Sequence, residues 1–169
     1  MRHTFTPLEL ELARLALSLG AEKYGGPFSD AEKLLVGRAI ERTGLPPKPD
    51  IREARRAIQT GADPLGDRLC EIRPQIQRRA LGAFYTDPSI VQAMLRWVDA
   101  QTPDEIIDCG SGTGRFAVAM ARMHSSMLVF AVEIDPLACL ISRATTAVLQ
   151  LANVVVLNHD FTTLKLPST

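Results

Sequence analysis

Asp108-Cys109-Gly110-Ser111-Gly112-Thr113-Gly114 follows a short apolar run, residues 105–109, and leads directly into a helix-like stretch at 115–123. A strand that ends in a glycine-rich turn and opens into a helix is the first half of a β-α-β unit. Downstream, residues 127–133 (Met-Leu-Val-Phe-Ala-Val-Glu) read as a second strand, Pro136 to about Gln150 as a helix, and residues 153–157 as a third strand. Short connections in a β-α-β-α-β order predict a parallel, right-handed, doubly wound, Rossmann-like sheet of which this chain carries the first three strands. The second and third strands are apolar throughout, the pattern expected of strands covered on both faces. Upstream, Asp87-Pro88 predicts a helix to about Asp99, with Ile90, Val91, Met94, Leu95 and Val98 on its buried side.

The first 80 residues have a different texture: helices separated by breakers. Thr6-Pro7-Leu8-Glu9 is a capping box with proline at the first helical position, and Leu8, Leu12, Leu15 and Leu19 then share a face. Ser29-Asp30-Ala31-Glu32 repeats the capping signal for a helix that should stop near Gly44. Leu45-Pro46-Pro47-Lys48-Pro49 reads as a stiff linker. Asp50 is expected to cap a third helix ending near Gly61, and Asp63-Pro64 opens a fourth toward Ala80, with Pro74 a break. The expected division is a helical region at 1–80 and a partial α/β domain at 81–169.

The 169 residues carry 19 Lys plus Arg against 19 Asp plus Glu. That zero balance argues against a strongly basic nucleic-acid binder, but it conceals an asymmetry. Residues 1–80 hold 14 basic and 11 acidic side chains, whereas residues 81–169 hold 5 and 8. No apolar run suits a membrane span and no secretory signal is visible. Cys70, Cys109 and Cys139, like His3, His124 and His159, are scattered without metal-ligand spacing. A cytoplasmic protein with no metal and no membrane partner is expected.

The glycine turn carries the chemistry. Its glycines allow close backbone approach to a ligand, and free N–H groups at a helix start attract a carboxylate or phosphate. Glu133 ends the next strand, where an acid accepts hydrogen bonds from both hydroxyls of a ribose. Asp160-Phe161 follows the third strand, suited to an adenine amino group and ring face. Each has a plainer reading: a structural turn, a helix cap at Glu133, a turn residue at Asp160. Their coincidence at consecutive strand ends favours a nucleoside. NAD and S-adenosylmethionine both carry one. The turn reads D-x-G-x-G-x-G, not G-x-G-x-x-G, and Asp108 suits a cationic amino-acid tail better than a pyrophosphate.

On these residues the chain resembles class I S-adenosylmethionine-dependent methyltransferases, whose motifs I and II have this form. A narrower likeness lies at Leu81-Gly82-Ala83-Phe84-Tyr85-Thr86-Asp87-Pro88. It is similar to the G-x-F-Y-T-P segment of DNA adenine-N6 methyltransferases of restriction-modification and phage-defence systems, with Asp87 standing where the pattern has proline. The resemblance covers about residues 81–161. It implies that Phe84, Tyr85 and Thr86 touch the methionine part of S-adenosylmethionine, with Asp108, Gly110 and Gly112 lining the same region. It further implies Glu133 at the ribose and Ile134, Asp160 and Phe161 around the adenine, with DNA as the partner of the complete enzyme.

The family's Asn- or Asp-Pro-Pro-aromatic tetrapeptide is absent from these 169 residues, so no catalytic residue is assigned. In this fold the first strand is central, so strand 105–109 is expected to present an open apolar edge. A missing C-terminal half or a partner chain would cover it. Arg52, Arg55, Arg56, Arg68, Arg73, Arg78 and Arg79 form the most basic stretch, read as a solvated face or as phosphate contacts. The leading expectation is the N-terminal portion of a DNA adenine-N6 methyltransferase. A non-catalytic nucleoside-binding or assembly subunit, and a methyltransferase for a small molecule or protein, stay open beside it.

Overall fold

The computed structural model describes residues 4–41, 48–73, 86, 88–101 and 103–164. In chain order the elements are α1 (Pro7–Ser18), α2 (Asp30–Glu41), α3 (Lys48–Gln59), α4 (Pro64–Ile72) and α5 (Pro88–Asp99). Then come β1 (Glu105–Cys109), α6 (Arg115–Met123), β2 (Leu128–Glu133), α7 (Pro136–Leu149) and β3 (Val154–Asn158). A single 3-10 turn, Ala21–Lys23, lies between α1 and α2.

The three strands form one parallel sheet in the order β1-β2-β3, with α6 and α7 as crossovers. This is the first part of a Rossmann-like α/β fold preceded by helices, as expected. Ile106, Val129 and Val154 stand in one row of the register, and Asp108, Ala131 and Val156 in another. That face packs on Val91 and Leu95 of α5, Ala117, Met120 and Ala121 of α6, and Cys139 of α7.

The opposite face is less uniformly covered. Its row Ile107, Phe130, Val155 is only partly covered among the described residues, with Ile107 39% exposed. On this face of β2 and β3, Val132 is buried and Phe130, Val155 and Leu157 are partly buried, so the exposed member of the row is Ile107 of the edge strand. β1 does lie at the sheet edge.

Helix α7 is wrapped on nearly all sides: every residue except Ala147 and Leu149 is buried. Beyond the sheet it meets the front helices. Leu137, Leu140, Ile141, Ala144 and Val148 share a core with Leu12, Ala16, Leu35, Ile58, Leu65 and Leu69. Each such side chain taken fully from water contributes roughly 1.5–3 kcal/mol. Arg143, the lone charge on α7, is fully buried and fully engaged. Its Nε donates to Glu32 Oε1 at 2.7 Å, and its terminal nitrogens donate to the carbonyls of Tyr24, Gly26, Pro27 and Val156. Glu32 also accepts from the Ser29 N–H at 2.8 Å, completing the capping box visible in the sequence. Next to it, the Val156 N–H donates to the Gly25 carbonyl, so the segment before α2 covers the outer edge of β3.

Several boundaries move. α3 begins at Lys48, two residues before the expected cap, because Pro49 fits a first helical turn, where its missing N–H has no helical partner anyway. The remainder of the linker, Leu45 to Pro47, and the stretch 74–80 lie outside the described residues. α4 ends at Ile72 with Arg73 as C-cap. β2 starts one residue later than expected, and β3 runs one residue further along the chain at both ends. On α5, Val91 and Leu95 are buried and Val98 is partly buried against the same core, whereas Ile90 and Met94 are exposed, so the apolar stripe is narrower than its spacing suggested. Leu8 is likewise exposed, and Leu10, Ala13 and Ala16 take its place on the buried face of α1. No helix among the described residues is long and apolar enough to cross a membrane.

Candidate functional site

Strand β1 carries Asp108 as its second-last residue and ends at Cys109, and the chain then turns through Gly110, Gly112 and Gly114, all at positive φ (77°, 56° and 84°). The first and third glycines have different reasons to be there. A Cβ on Gly114 would sit 2.3 Å from Ser142 Oγ, so this residue lets α6 lie against α7. Among the described residues, a Cβ on Gly110 would meet nothing within 4 Å, leaving space beside the backbone that suits a ligand.

The turn is held by the neighbouring strand. The Gly110 and Ser111 N–H groups both donate to the Val132 carbonyl, at 2.8 and 3.0 Å, and the Gly112 N–H donates to Glu133 Oε2 at 2.8 Å. Strand β2 thus uses the amides of Gly110, Ser111 and Gly112, which come before the helix start at Gly114 and Arg115 where free N–H groups are expected. Among the described residues, the unsatisfied polar groups at the turn are side chains: Asp108 Oδ2 and Ser111 Oγ are buried without a hydrogen-bond partner. Burial pushes the Asp108 carboxyl up to about 6, the Glu133 charge adds to the effect, and the backbone of Ala117 works against it.

Glu133 closes β2. Besides Gly112, it accepts the Asp135 N–H on Oε1 at 2.9 Å. The cap of α7 is Asp135, which accepts from the Leu137 N–H at 3.0 Å, so Glu133 does not serve that purpose. In the register Glu133 faces Asn158. Asn158 donates to the carbonyls of Glu133 and Ile134, at 3.0 and 2.9 Å, and its Oδ1 accepts from Ser29 Oγ at 2.8 Å. The ends of β2 and β3 are thereby tied together. Ile134 and Phe161, just past those ends, are 57% and 52% exposed. Apolar side chains held out at strand ends are suited to the faces of a flat ring.

Asp160 is partly exposed and accepts from the Thr162 hydroxyl at 2.7 Å and its N–H at 2.9 Å. These bonds hold its carboxyl below the ordinary range. The plainer turn role is thus present at Asp160. Thr86 is exposed. Phe84 and Tyr85 lie outside the described residues.

Three contributors were not singled out from sequence. Asn158 was passed over as a strand-end residue, although its place after an apolar run, level with Glu133, was a usable signal. Asp63 was read only as a helix opener, yet it accepts from Thr113 Oγ1 and Arg115 Nε, both at 2.7 Å. Arg73 was grouped with a solvated or phosphate-facing basic stretch. It is instead largely buried between Glu9 and Asp135. Behind the turn, a cavity of about 330 Å³ opens between α3, α4, α5, α6 and α7. It shares Thr113 and Gly114 with the turn but none of Asp108, Glu133, Ile134 or Phe161.

The model of the protein-L-isoaspartate(D-aspartate) O-methyltransferase (PCMT) family matches residues 73–163. Type II methyltransferase M.XamI of Xanthomonas campestris pv. amaranthicola is 34% identical over 169 residues, covering 95% of this chain and 30% of the relative. An rRNA adenine N-6-methyltransferase of Limosilactobacillus reuteri is 34% identical over 84 residues, covering 50% of this chain and 33% of the relative. The chain thus spans about a third of the length of these curated relatives. No solved structure matches. Both relatives are named methyltransferases, the matched family is one too, and its usual methyl donor is S-adenosylmethionine. The match, which takes in the glycine turn, Glu133 and Asp160, is to more than half of the chain, and the chain belongs to the protein-L-isoaspartate(D-aspartate) O-methyltransferase (PCMT) family.

Proposed function

We propose that this chain is the S-adenosylmethionine-binding N-terminal portion of a DNA adenine-N6 methyltransferase of a restriction-modification or phage-defence system, working in the cytoplasm. The observation that carries the reading is the alignment of three strand ends. β1 offers Asp108 with an unpartnered buried oxygen, β2 offers Glu133 followed by exposed Ile134, and β3 is followed by Asp160 and exposed Phe161. A cationic amino-acid tail, a ribose and an adenine need those groups in that order. The open space beside Gly110 fits close approach of such a ligand.

S-adenosylmethionine supplies an electrophilic methyl group on sulfonium. Around it, Asp108 holds the α-ammonium, Glu133 accepts from the ribose hydroxyls, and Ile134 and Phe161 exclude water from the adenine faces. Asp160 takes the adenine amino group. Phe84, Tyr85 and Thr86 close over the methionine part. The target base is flipped out of the DNA and its N6 placed in line with the methyl group by residues beyond this chain. Residues 1–80 form the helical part and 81–169 the cofactor-binding half of the catalytic domain. The rest of that domain pairs with β1 and covers the open face at Ile107, Phe130 and Val155. Adenine as substrate is supported by the printed name of the second relative, and DNA by the likeness of residues 82–88 to the G-x-F-Y-T-P segment.

The test is calorimetry with S-adenosylmethionine and with NAD, on the wild type and on Glu133→Ala, followed by transfer of labelled methyl groups by the intact protein. Binding of NAD in preference to S-adenosylmethionine would overturn the cofactor. Labelling of isoaspartyl peptide or rRNA but not of DNA adenine would overturn the substrate. Cofactor binding with no transfer by the native protein would favour the second reading, a nucleoside-binding assembly subunit. That reading is supported by the absence of the Asn- or Asp-Pro-Pro-aromatic tetrapeptide from these residues.

A further inference from the structure

Both ends of α4 are anchored to the candidate site, on different strands' turns. At the N-terminus, Asp63 caps the helix by accepting the Gly66 N–H at 2.9 Å on Oδ1. Its Oδ2 accepts from Thr113 Oγ1 and Arg115 Nε, both at 2.7 Å, gripping the glycine turn on either side of Gly114. Arg115 reaches on to Asp67 of the same helix at 2.5 Å. At the C-terminus, the Arg73 guanidinium pairs with Asp135 and donates through Nε to Glu9 Oε1 at 2.7 Å. Asp135 in turn donates its N–H to Glu133, whose other oxygen holds Gly112. A closed circuit results: Gly112, Glu133, Asp135, Arg73, α4, Asp63, Thr113 and back to the turn.

We propose that Arg73 and Asp63 are positioning residues, through which α4 sets the spacing between the glycine turn and Glu133 and so the affinity for the nucleoside cofactor. The proposal rests on the S-adenosylmethionine reading for its ligand, but its geometric half does not. Glu133 holds the Gly112 N–H on one oxygen and the Asp135 N–H on the other, and Asp135 is fixed from outside the turn by Arg73. The side chains of Arg73, Glu9 and Asp135 are 12%, 9% and 17% exposed, so the contacts are little screened and geometrically confined. Glu9 is itself fixed. Burial opposes its charge, but the Thr6 N–H and Arg73 outweigh that and keep its carboxyl below the ordinary range. Asp63 acts at the other end on Thr113, which is 3% exposed. A nine-residue helix is stiff over its roughly 13 Å length, so it transmits position from one end to the other.

A purely fold-stabilising role would loosen the whole molecule evenly; a positioning role would loosen the turn first. The intact protein is therefore made as Arg73→Met, Arg73→Lys, Asp63→Asn and, as an exposed control on the same helix, Arg68→Ala. Amide hydrogen exchange is read without ligand at Gly112 and at Ile141 in the core, and S-adenosylmethionine affinity is measured where circular dichroism shows each variant folded. Arg73→Met and Asp63→Asn are expected to speed exchange at Gly112 about tenfold over any change at Ile141 and to weaken the cofactor about tenfold. Arg73→Lys should recover part of both, and Arg68→Ala should match wild type. Where Arg73→Met does not fold, Arg73→Lys and Asp63→Asn carry the same comparison. Equal acceleration at Gly112 and Ile141, or unchanged exchange and affinity, would overturn the proposal. If the wild type binds no S-adenosylmethionine, the functional reading falls, and exchange at Gly112 alone decides the positioning claim.

Discussion

The Gly112 N–H donates to Glu133 Oε2 at 2.8 Å, joining the turn after β1 to the last residue of β2 before any ligand arrives. Glu133 accepts a second backbone N–H, from Asp135, on its other oxygen. Each carboxylate oxygen has a further lone pair, so this pairing leaves capacity for the two hydroxyls of a ribose. Glu133→Gln should therefore be harmful despite its near-identical shape. An amide offers one acceptor atom to two N–H donors, and its own NH2 must face one of them. The expected cost is about 1–3 kcal/mol in denaturant unfolding, with loss of measurable cofactor binding. Wild-type stability and affinity in Glu133→Gln would show that these hydrogen bonds do not hold the site.

Asp108 predicts two opposite pH trends. Its folded pKa, about 6, lies above the ordinary 3.8, so between those values the folded protein binds a proton that the unfolded chain does not. Its contribution therefore destabilises the ligand-free protein at neutral pH, and that penalty fades as pH falls through 6. The urea midpoint should rise from pH 7 to pH 5 relative to Asp108→Asn, which lacks the titrating group. Cofactor affinity should move the other way, because the α-ammonium needs the ionised carboxylate. It should fall by up to about tenfold per pH unit below 6. Calorimetry from pH 5 to 8 checks this, and a flat affinity profile in wild type would remove Asp108 from the ligand.

The first and third glycines of the turn should fail differently. Gly114→Ala places a methyl group 2.3 Å from Ser142 Oγ and adds strain at a φ of 84°, so α6 must shift against α7. A loss of about 1–3 kcal/mol in stability is expected. Gly110→Ala meets no atom of the described residues within 4 Å, so its cost should stay at about 1 kcal/mol of backbone strain. Its methyl group instead enters the space assigned to the ligand, and cofactor affinity should drop at least about tenfold. Thermal unfolding and calorimetry on the two variants separate the effects. Equal stability losses with equal affinities would contradict the distinct roles.

How much of this was legible beforehand follows from which contacts are local. Strand-turn-helix patterns lie within a few residues, so the β1 turn, α6 and the capping boxes at Thr6 and Ser29 could be read directly. Glu133 stood out because a lone acid ends an apolar strand. The circuit through α4 could not be read, because Asp63 to Thr113 and Arg73 to Asp135 are contacts between distant parts of the chain. Arginine spacing alone does not distinguish a buried clamp from a solvated face.

Arg143 and Glu32 predict an asymmetric pair of mutants. Both are fully buried, but they do not depend on each other equally. Glu32 keeps the Ser29 N–H if Arg143 is lost, yet its charge then stands in the core with no counter-ion. Arg143 without a charged Glu32 still donates to the carbonyls of Tyr24, Gly26, Pro27 and Val156 and lies 5.1 Å over the Phe28 ring. Arg143→Met should therefore destabilise by about 3–5 kcal/mol, the usual cost of breaking a buried pair from one side. Glu32→Gln should cost less, because the carbonyls continue to stabilise the cation. Combining the two removes the stranded carboxylate, so the double variant should be more stable than Arg143→Met alone. Because the carbonyls of Tyr24, Gly26 and Pro27 belong to the segment covering β3, Arg143→Met should also expose the Val156 N–H to faster hydrogen exchange. Equilibrium unfolding of the three variants gives the comparison, and strictly additive losses would show that the two charges are independent.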